Sequence, residues 1–195
     1  MTTQAFPPMP PKLVLMRDGR SALLRPLTPN DEPQVAAFHR ELSDTTVHFR
    51  YFHSMTLAQR TDHHRLAGVC HGDAVQDFAI AADVGGRIVA IGRLARAIAG
   101  GEAELAVVVA DAWQRLGLGG QLVKALLDEA RAAGCRRVVM DILSDNAGME
   151  RIAAHHGFTR VFEREIGVVH ALLDLGTPLA SNTPATPTAP GAVPP

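Results

Sequence analysis

Residues 104–110 read ELAVVVA, apolar after the first position, and such a short apolar run predicts a central strand with both faces covered. Downstream the period changes. Leu118, Leu122, Leu126 and Ala130 recur every fourth residue with Val123 and Leu127 beside them, which predicts an amphipathic helix stopped by Gly134. Residues 138–143 form the next strand, 146–156 a short helix ended by Gly157, and 161–166 and 168–173 a last hairpin around Gly167. Upstream, residues 21–27 read as the first strand, and the polar cluster 28–31 caps a helix running to about Leu42, with Val35, Phe38, His39 and Leu42 on one face. Residues 45–52 and 57–66 predict short helices. Two β-rich runs, 78–84 and 87–96, flank the Gly85-Gly86 connector of a hairpin. The sum is a mixed α/β sheet with one parallel crossover over 104–143, which connection rules make right-handed.

Composition narrows the partners. A chain of 195 residues, 47% of them hydrophobic, buries one sizeable core. Residues 1–11 are proline-rich, and 177–195 form a Pro/Thr/Ala segment without apolar periodicity, so a flexible N-terminal segment and a disordered tail are expected to flank a folded domain over 12–176. With 19 basic and 20 acidic residues and no block of like charge, the sequence lacks a nucleic-acid footprint. No apolar run approaches the roughly 18 residues of a membrane span, and no basic-then-apolar leader opens the chain, which predicts a cytoplasmic protein away from membranes. Cys70 and Cys135 match no disulfide or metal spacing, and His63, His64 and His71 lack the spacing and acidic partner of a zinc helix, so no metal is expected.

The chemistry points to the segment between the apolar strand and the long helix, WQRLGLGG. Helix N-termini leave backbone N–H groups unpaired and carry partial positive charge, so the amides from Leu116 through Gly117, Leu118, Gly119 and Gly120 can converge on a pyrophosphate. Gly117 and Gly119 permit close backbone approach, and Gln114 and Arg115 add donors at the rim. The order of glycines satisfies neither the Rossmann fingerprint nor the P-loop. A glycine-eased turn without a ligand is the alternative reading.

The order of parts decides for a ligand. The pattern Gln114-Arg115-x-Gly117-x-Gly119 at a strand-to-helix junction, followed by a strand, Asn146 and Gly157-Phe158, resembles the GNAT acetyltransferases over roughly residues 21–174. The segments LLRPLTPNDEPQVAAFHRELS, RYF, AELAVVV and DNAGMERIAAHHGF are similar to the acetyltransferase domain of bacterial protein-lysine acetyltransferases. The resemblance implies a GNAT-like fold: a mostly antiparallel central sheet, splayed at a parallel strand pair and flanked by helices. It implies acetyl-CoA as co-substrate, its pyrophosphate held by residues 114–119, and its pantetheine inserted beside a bulged 104–110 strand against Val107, Val108 and Val109. It also implies a cofactor contact from Asn146, whose other reading is a helix N-cap.

Transfer from a thioester to an amine requires a group that takes the amine's proton and a donor for the oxyanion. Glu104, in a partly desolvated place at the acyl end of the strand, is the candidate base, with Glu102 as the alternative, and the Val107 amide is the candidate oxyanion donor. Many GNAT enzymes place a tyrosine four residues before the Gly-Phe pair; here Ala153 stands there, leaving water, His155 or His156 as the acid. The expected function is N-acetylation of an amine, with a protein lysine as acceptor. A small-molecule amine acetyltransferase and a non-catalytic acyl-CoA-binding sensor are the alternatives.

Overall fold

The computed structural model describes residues 5–70, 73, 75–97, 101–163 and 167–176. The 177–195 tail, His71 and the end of the 161–166 strand lie outside the described residues. Eight strands form one sheet in the order β1-β2-β3-β4-β5-β6-β8-β7. They are β1 (Lys12–Leu15), β2 (Ser21–Pro26), β3 (Asp77–Val84), β4 (Arg87–Arg96), β5 (Glu102–Val109), β6 (Arg137–Leu143), β7 (Thr159–Glu163) and β8 (Val168–Asp174). Only β5 and β6 run parallel among these pairings; the others are antiparallel. Helices α1 (Glu32–Glu41), α2 (Asp44–Tyr51), α3 (Leu57–Arg60) and α4 (His63–Cys70) connect β2 to β3, α5 (Leu118–Ala132) connects β5 to β6, and α6 (Ala147–His155) leads into β7.

The sheet divides the core in two. On one face Leu118, Leu122, Val123, Leu126, Leu127 and Ala130 of α5 are buried against β4, β5 and β6. Gly92 on β4 lets the helix come this close, since a Cβ there would lie 2.7 Å from the Leu126 side chain. On the other face Val35, Phe38, Val47 and Leu66 of the α1–α4 group cover Ile91 and Val108. Side chains of β5 therefore alternate: Ala103, Leu105, Val107 and Val109 face α5, while Val108 faces the α1–α4 group.

Three expectations change. A strand precedes 21–27: β1 is an edge strand with Leu13 and Leu15 exposed, so it offers a weak period-2 signal. The N-terminal segment is not loose throughout, because Phe6 is buried, stacks on Phe78 with ring centroids 5.4 Å apart and lies under the Arg96 guanidinium. The expected bulge in the 104–110 strand is absent. β5 keeps one register with β4 from Ala103–Arg96 to Val109–Ala90, and the irregularity lies at Ala82 and Asp83 of β3.

Candidate active site

The parallel pairing of β5 with β6 covers only Glu102, Ala103 and Glu104, after which the two strands separate. Backbone parity shows what faces the opening. Ala97 N–H donates to Glu102 O at 3.0 Å and Ala110 N–H to Val89 O at 2.9 Å. In the unbroken register between those bonds, the even-numbered residues of β5 exchange backbone bonds with β4. Leu105, Val107 and Val109 turn theirs the other way, into a gap that β6 has left. The backbone of Val108 is thus committed to β4, and it is the side chain of Val108 that lines the cleft. A splayed, unbulged strand pair exposes the same kind of edge that a bulge was expected to create.

The gap opens at one end into a cleft of about 1070 Å³ floored by Val107, Val108 and Val109 and closed by the 114–121 loop. There Gly117 adopts φ +93, a left-handed conformation that favours glycine, and Arg115 adopts φ +62. The first bond of α5 is Gln121 N–H to Gly117 O at 3.2 Å, so the amides of Leu118, Gly119 and Gly120 precede the helical ladder and point out of its N-terminus. A Cβ at Gly119 would lie 2.9 Å from Ile152 Cδ1, so α6 closes over the loop at a distance only glycine allows. The buried Nε2 of His156 has no side-chain hydrogen-bond partner among the described residues and lies beside Gly120. Amides, the helix dipole and the cleft-lining Arg17, Lys124 and Arg151 together fit a phosphate group. His156 lines this cleft and not the pocket that holds Glu104, and burial, then the neighbouring His155, holds its pKa down against the Gly120 backbone.

Gln114 works differently from the expected rim donor. Its Nε2 donates to Val109 O at 3.1 Å and to Thr46 Oγ1 at 3.0 Å, so the side chain ties loop, strand and α2 together. Asp111 completes this brace by accepting from Ser43 Oγ at 2.6 Å, Ser43 N–H at 2.9 Å and Thr46 Oγ1 at 2.8 Å. Ser43 is also the N-cap of α2, accepting from Thr46 N–H. Asn146 caps α6, its Oδ1 accepting from Met149 N–H at 3.0 Å, while the residue also lines the cleft.

At the other end lies a second pocket of about 250 Å³, lined by Tyr51, Phe52, Glu104, Ala106 and Asp141 among others. Glu104 is exposed at its rim rather than desolvated. Glu102 is tied up differently, its carboxylate 3.9 Å from Arg137. Phe49, Arg50, Val107, Asn146 and Met149 line both cavities and mark where they meet.

Tyr51 is held from behind. His39 Nδ1 donates to Val35 O at 2.8 Å, a carbonyl that can only accept, so Nε2 is the acceptor of the Tyr51 hydroxyl at 2.9 Å. The phenolic proton is therefore committed to His39 and not to the pocket. Burial, with help from Arg65, Arg50 and Arg60 and against the Val35 bond, pushes His39 down to about 4. A folded pKa below the free value of about 6.5 means stability that is complete above pH 6.5 and lost as pH falls towards 4, about 3 kcal/mol in all. Denaturant titrations between pH 7 and 4 should show this slope in the wild type and lose it in His39→Gln; equal slopes would refute the assignment.

Ala153, at the position of the family tyrosine, is fully buried in the α5-side core. Among the described residues no group of three or more His, Cys, Asp or Glu is placed to hold a metal, and no helix is long and apolar enough to cross a membrane. The sequence reading missed Arg17, Arg50 and the Tyr51–His39 pair. Arg17 lies in the β1–β2 turn, where its N–H donates to Leu116 O at 3.0 Å, and the Asp18-Gly19 dipeptide is the hairpin signal that could have found it.

Comparison with known proteins gives the same picture. The model of the acetyltransferase (GNAT) family matches residues 35–158. An acetyltransferase of Pseudomonas aeruginosa is 32% identical over 142 residues, covering 72% of this chain and 76% of that protein. The GNAT domain of S. lividans PAT superposes with a TM-score of 0.78 at 31% identity, covering 85% of this chain and 97% of that domain. A cAMP-binding acyltransferase from Mycobacterium smegmatis superposes with a TM-score of 0.59 at 28% identity, over 91% of this chain and 50% of that one.

Proposed function

The chain belongs to the GNAT acetyltransferase family and is an acetyl-CoA-dependent acetyltransferase; we propose that its acceptor is a lysine side chain of a protein and that Glu104 is its general base. The observation that carries this reading is the meeting of two cavities on β5. One ends in the phosphate-fitting loop and the other in Glu104, and Val107 lies between them. Gly117, Gly119 and the amides of Leu118, Gly119 and Gly120 hold the pyrophosphate, with Arg115 and Leu116 shaping the turn. The inward-turned amides of Val107 and Val109 pair with the pantetheine as another strand would, and the side chain of Val108 packs along it. When bound, acetyl-CoA supplies the activated acyl group.

On the acceptor side Glu104 takes the proton that makes the lysine amine nucleophilic, directly or through water, since an alkyl ammonium is unreactive. The amine then attacks the thioester carbon, and as the C–S bond breaks the CoA thiolate takes up, through water, the proton that the new amide nitrogen sheds. Attack is direct, with no acyl-enzyme. Of the two cysteines, Cys135 is buried beyond the far end of α5, and burial, then Asp31 and Glu32, pushes the Cys70 thiol up to about 11. Support for a protein lysine comes from the likeness of residues 23–43, 50–52, 103–109 and 145–158 to protein-lysine acetyltransferases. The absence of the family tyrosine at Ala153 favours one other reading, acyl-CoA binding without turnover. Initial rates measured over a grid of acetyl-CoA and lysine-peptide concentrations should give intersecting reciprocal plots; parallel plots would mean an acyl-enzyme and overturn direct attack.

A further inference from the structure

Five residues line both cavities, and Arg50 is the charged one among them. It stands on the last turn of α2 and, like Val107, lines both cavities, where a group passing from cofactor cleft to acceptor pocket must go. Its charge is costly in that place. Burial pulls the Arg50 pKa down, Tyr51 and Glu104 offset part of this, and Arg93 and Arg65 add to it.

The neighbouring arginines are occupied. Arg93 is paired with Asp77, and Arg65 donates to Arg60 O at 3.0 Å. Arg50 makes no hydrogen bond or ion pair among the described residues, and Glu104, its electrostatic neighbour, is not within ion-pairing distance. It is held instead by its stem and by the face of Tyr51, whose ring centroid lies 4.9 Å from the guanidinium carbon. Arg65 covers the same ring at 4.3 Å, and His39 fixes its hydroxyl. A half-buried, oriented and uncommitted guanidinium that lines both cavities is the arrangement that stabilises charge developing in a reaction.

We propose that Arg50 is a catalytic residue that donates, together with the Val107 amide, to the thioester carbonyl oxygen and stabilises the oxyanion of the tetrahedral intermediate. As the amine nitrogen bonds to the carbonyl carbon, the C=O π electrons move to oxygen beside the guanidinium. They return as the C–S bond breaks and the electron pair leaves with the CoA sulfur. Tyr51 acts through Arg50 as a positioning residue, and Glu104 remains the base. Two full charges on separate jobs explain why Arg50 and Glu104 line one pocket without pairing. The inference rests on the acetyltransferase reading, but it can be tested without turnover.

The test is the infrared carbonyl band of carbon-13-labelled acetyl-CoA bound to the wild type, Arg50→Gln and Arg50→Lys, with kcat and KM for the same proteins. The wild type should shift the band to lower frequency, and Arg50→Gln should lose most of that shift. In Arg50→Gln kcat should fall about 10²–10³-fold, the usual effect of removing one oxyanion donor, with little change in the dissociation constant of CoA. Arg50→Lys should retain part of both. A band unchanged in both variants, or a wild-type band at the position of free acetyl-CoA, overturns the proposal. A band shift that depends on Arg50 in a protein that acetylates no amine overturns the catalytic role and leaves Arg50 a binding contact of the acyl carbonyl.

Discussion

Replacing Glu104 with glutamine should lower kcat for a lysine acceptor by about 10²–10⁴-fold, the range that a positioned general base contributes. CoA affinity should be unchanged, because Glu104 lines the acceptor pocket and not the cofactor cleft. Stability should also be unchanged, since the side chain is exposed and no ion pair holds it among the described residues. The pH profile separates a base from a mere surface charge. As pH rises towards the amine's own pKa, more acceptor is already neutral, and the deficit of the variant should shrink. A Glu104→Gln enzyme as fast as the wild type at pH 7 would transfer the role to water, since Glu102 faces Arg137.

Gly117→Val should weaken CoA binding by about two orders of magnitude, equivalent to losing one or two charge-assisted hydrogen bonds. The cause is conformational. Gly117 is at φ +93, which a β-branched residue resists, while the nearest atoms to an added Cβ, on Arg17, are 3.8 Å away. Relief of this strain therefore re-forms the turn and moves the amides of Leu118, Gly119 and Gly120 off their common target. The core should survive, because Leu122 and Leu126 anchor α5 beyond its first turn. Calorimetry with CoA and a thermal melt check both halves; unchanged affinity would detach the loop from phosphate binding.

The elements legible in the sequence were those with a strong period or a glycine stop. α5, with apolar positions on one face and Gly134 behind it, lies where its spacing places it, and so does the glycine connector between β3 and β4. β1 was illegible because its exposed positions, Leu13 and Leu15, are as apolar as the buried Val14 and Met16 beside them, so the strand shows no alternation of apolar and polar residues. The site divides the same way. Residues 114–120 and Glu104 sit on contiguous strand-loop-helix chemistry, which a motif can hold. Arg50, Tyr51 and His39 come from α1 and α2 and reach the site only through tertiary packing, so nothing in their spacing announces them. Gln114 shows the limit of motif reading in the other direction: the residue is at the expected place, but its donors are spent on Val109 and Thr46. The splay of β5 from β6 needed no bulge, since it follows from where parallel pairing stops, at Glu104 and Val139.

In the proposed reaction the gap beside β5 delivers an acetyl group from acetyl-CoA to a lysine amine at Glu104. It is tested most directly by following free thiol while the wild-type protein is incubated with acetyl-CoA and a mixed panel of lysine peptides and small amines, and by weighing the products. The predicted result is thiol release that depends on a lysine peptide and matches acetyl-lysine formed, mole for mole. Thiol release that depends on no acceptor in the panel, in a protein that still binds CoA, would contradict it.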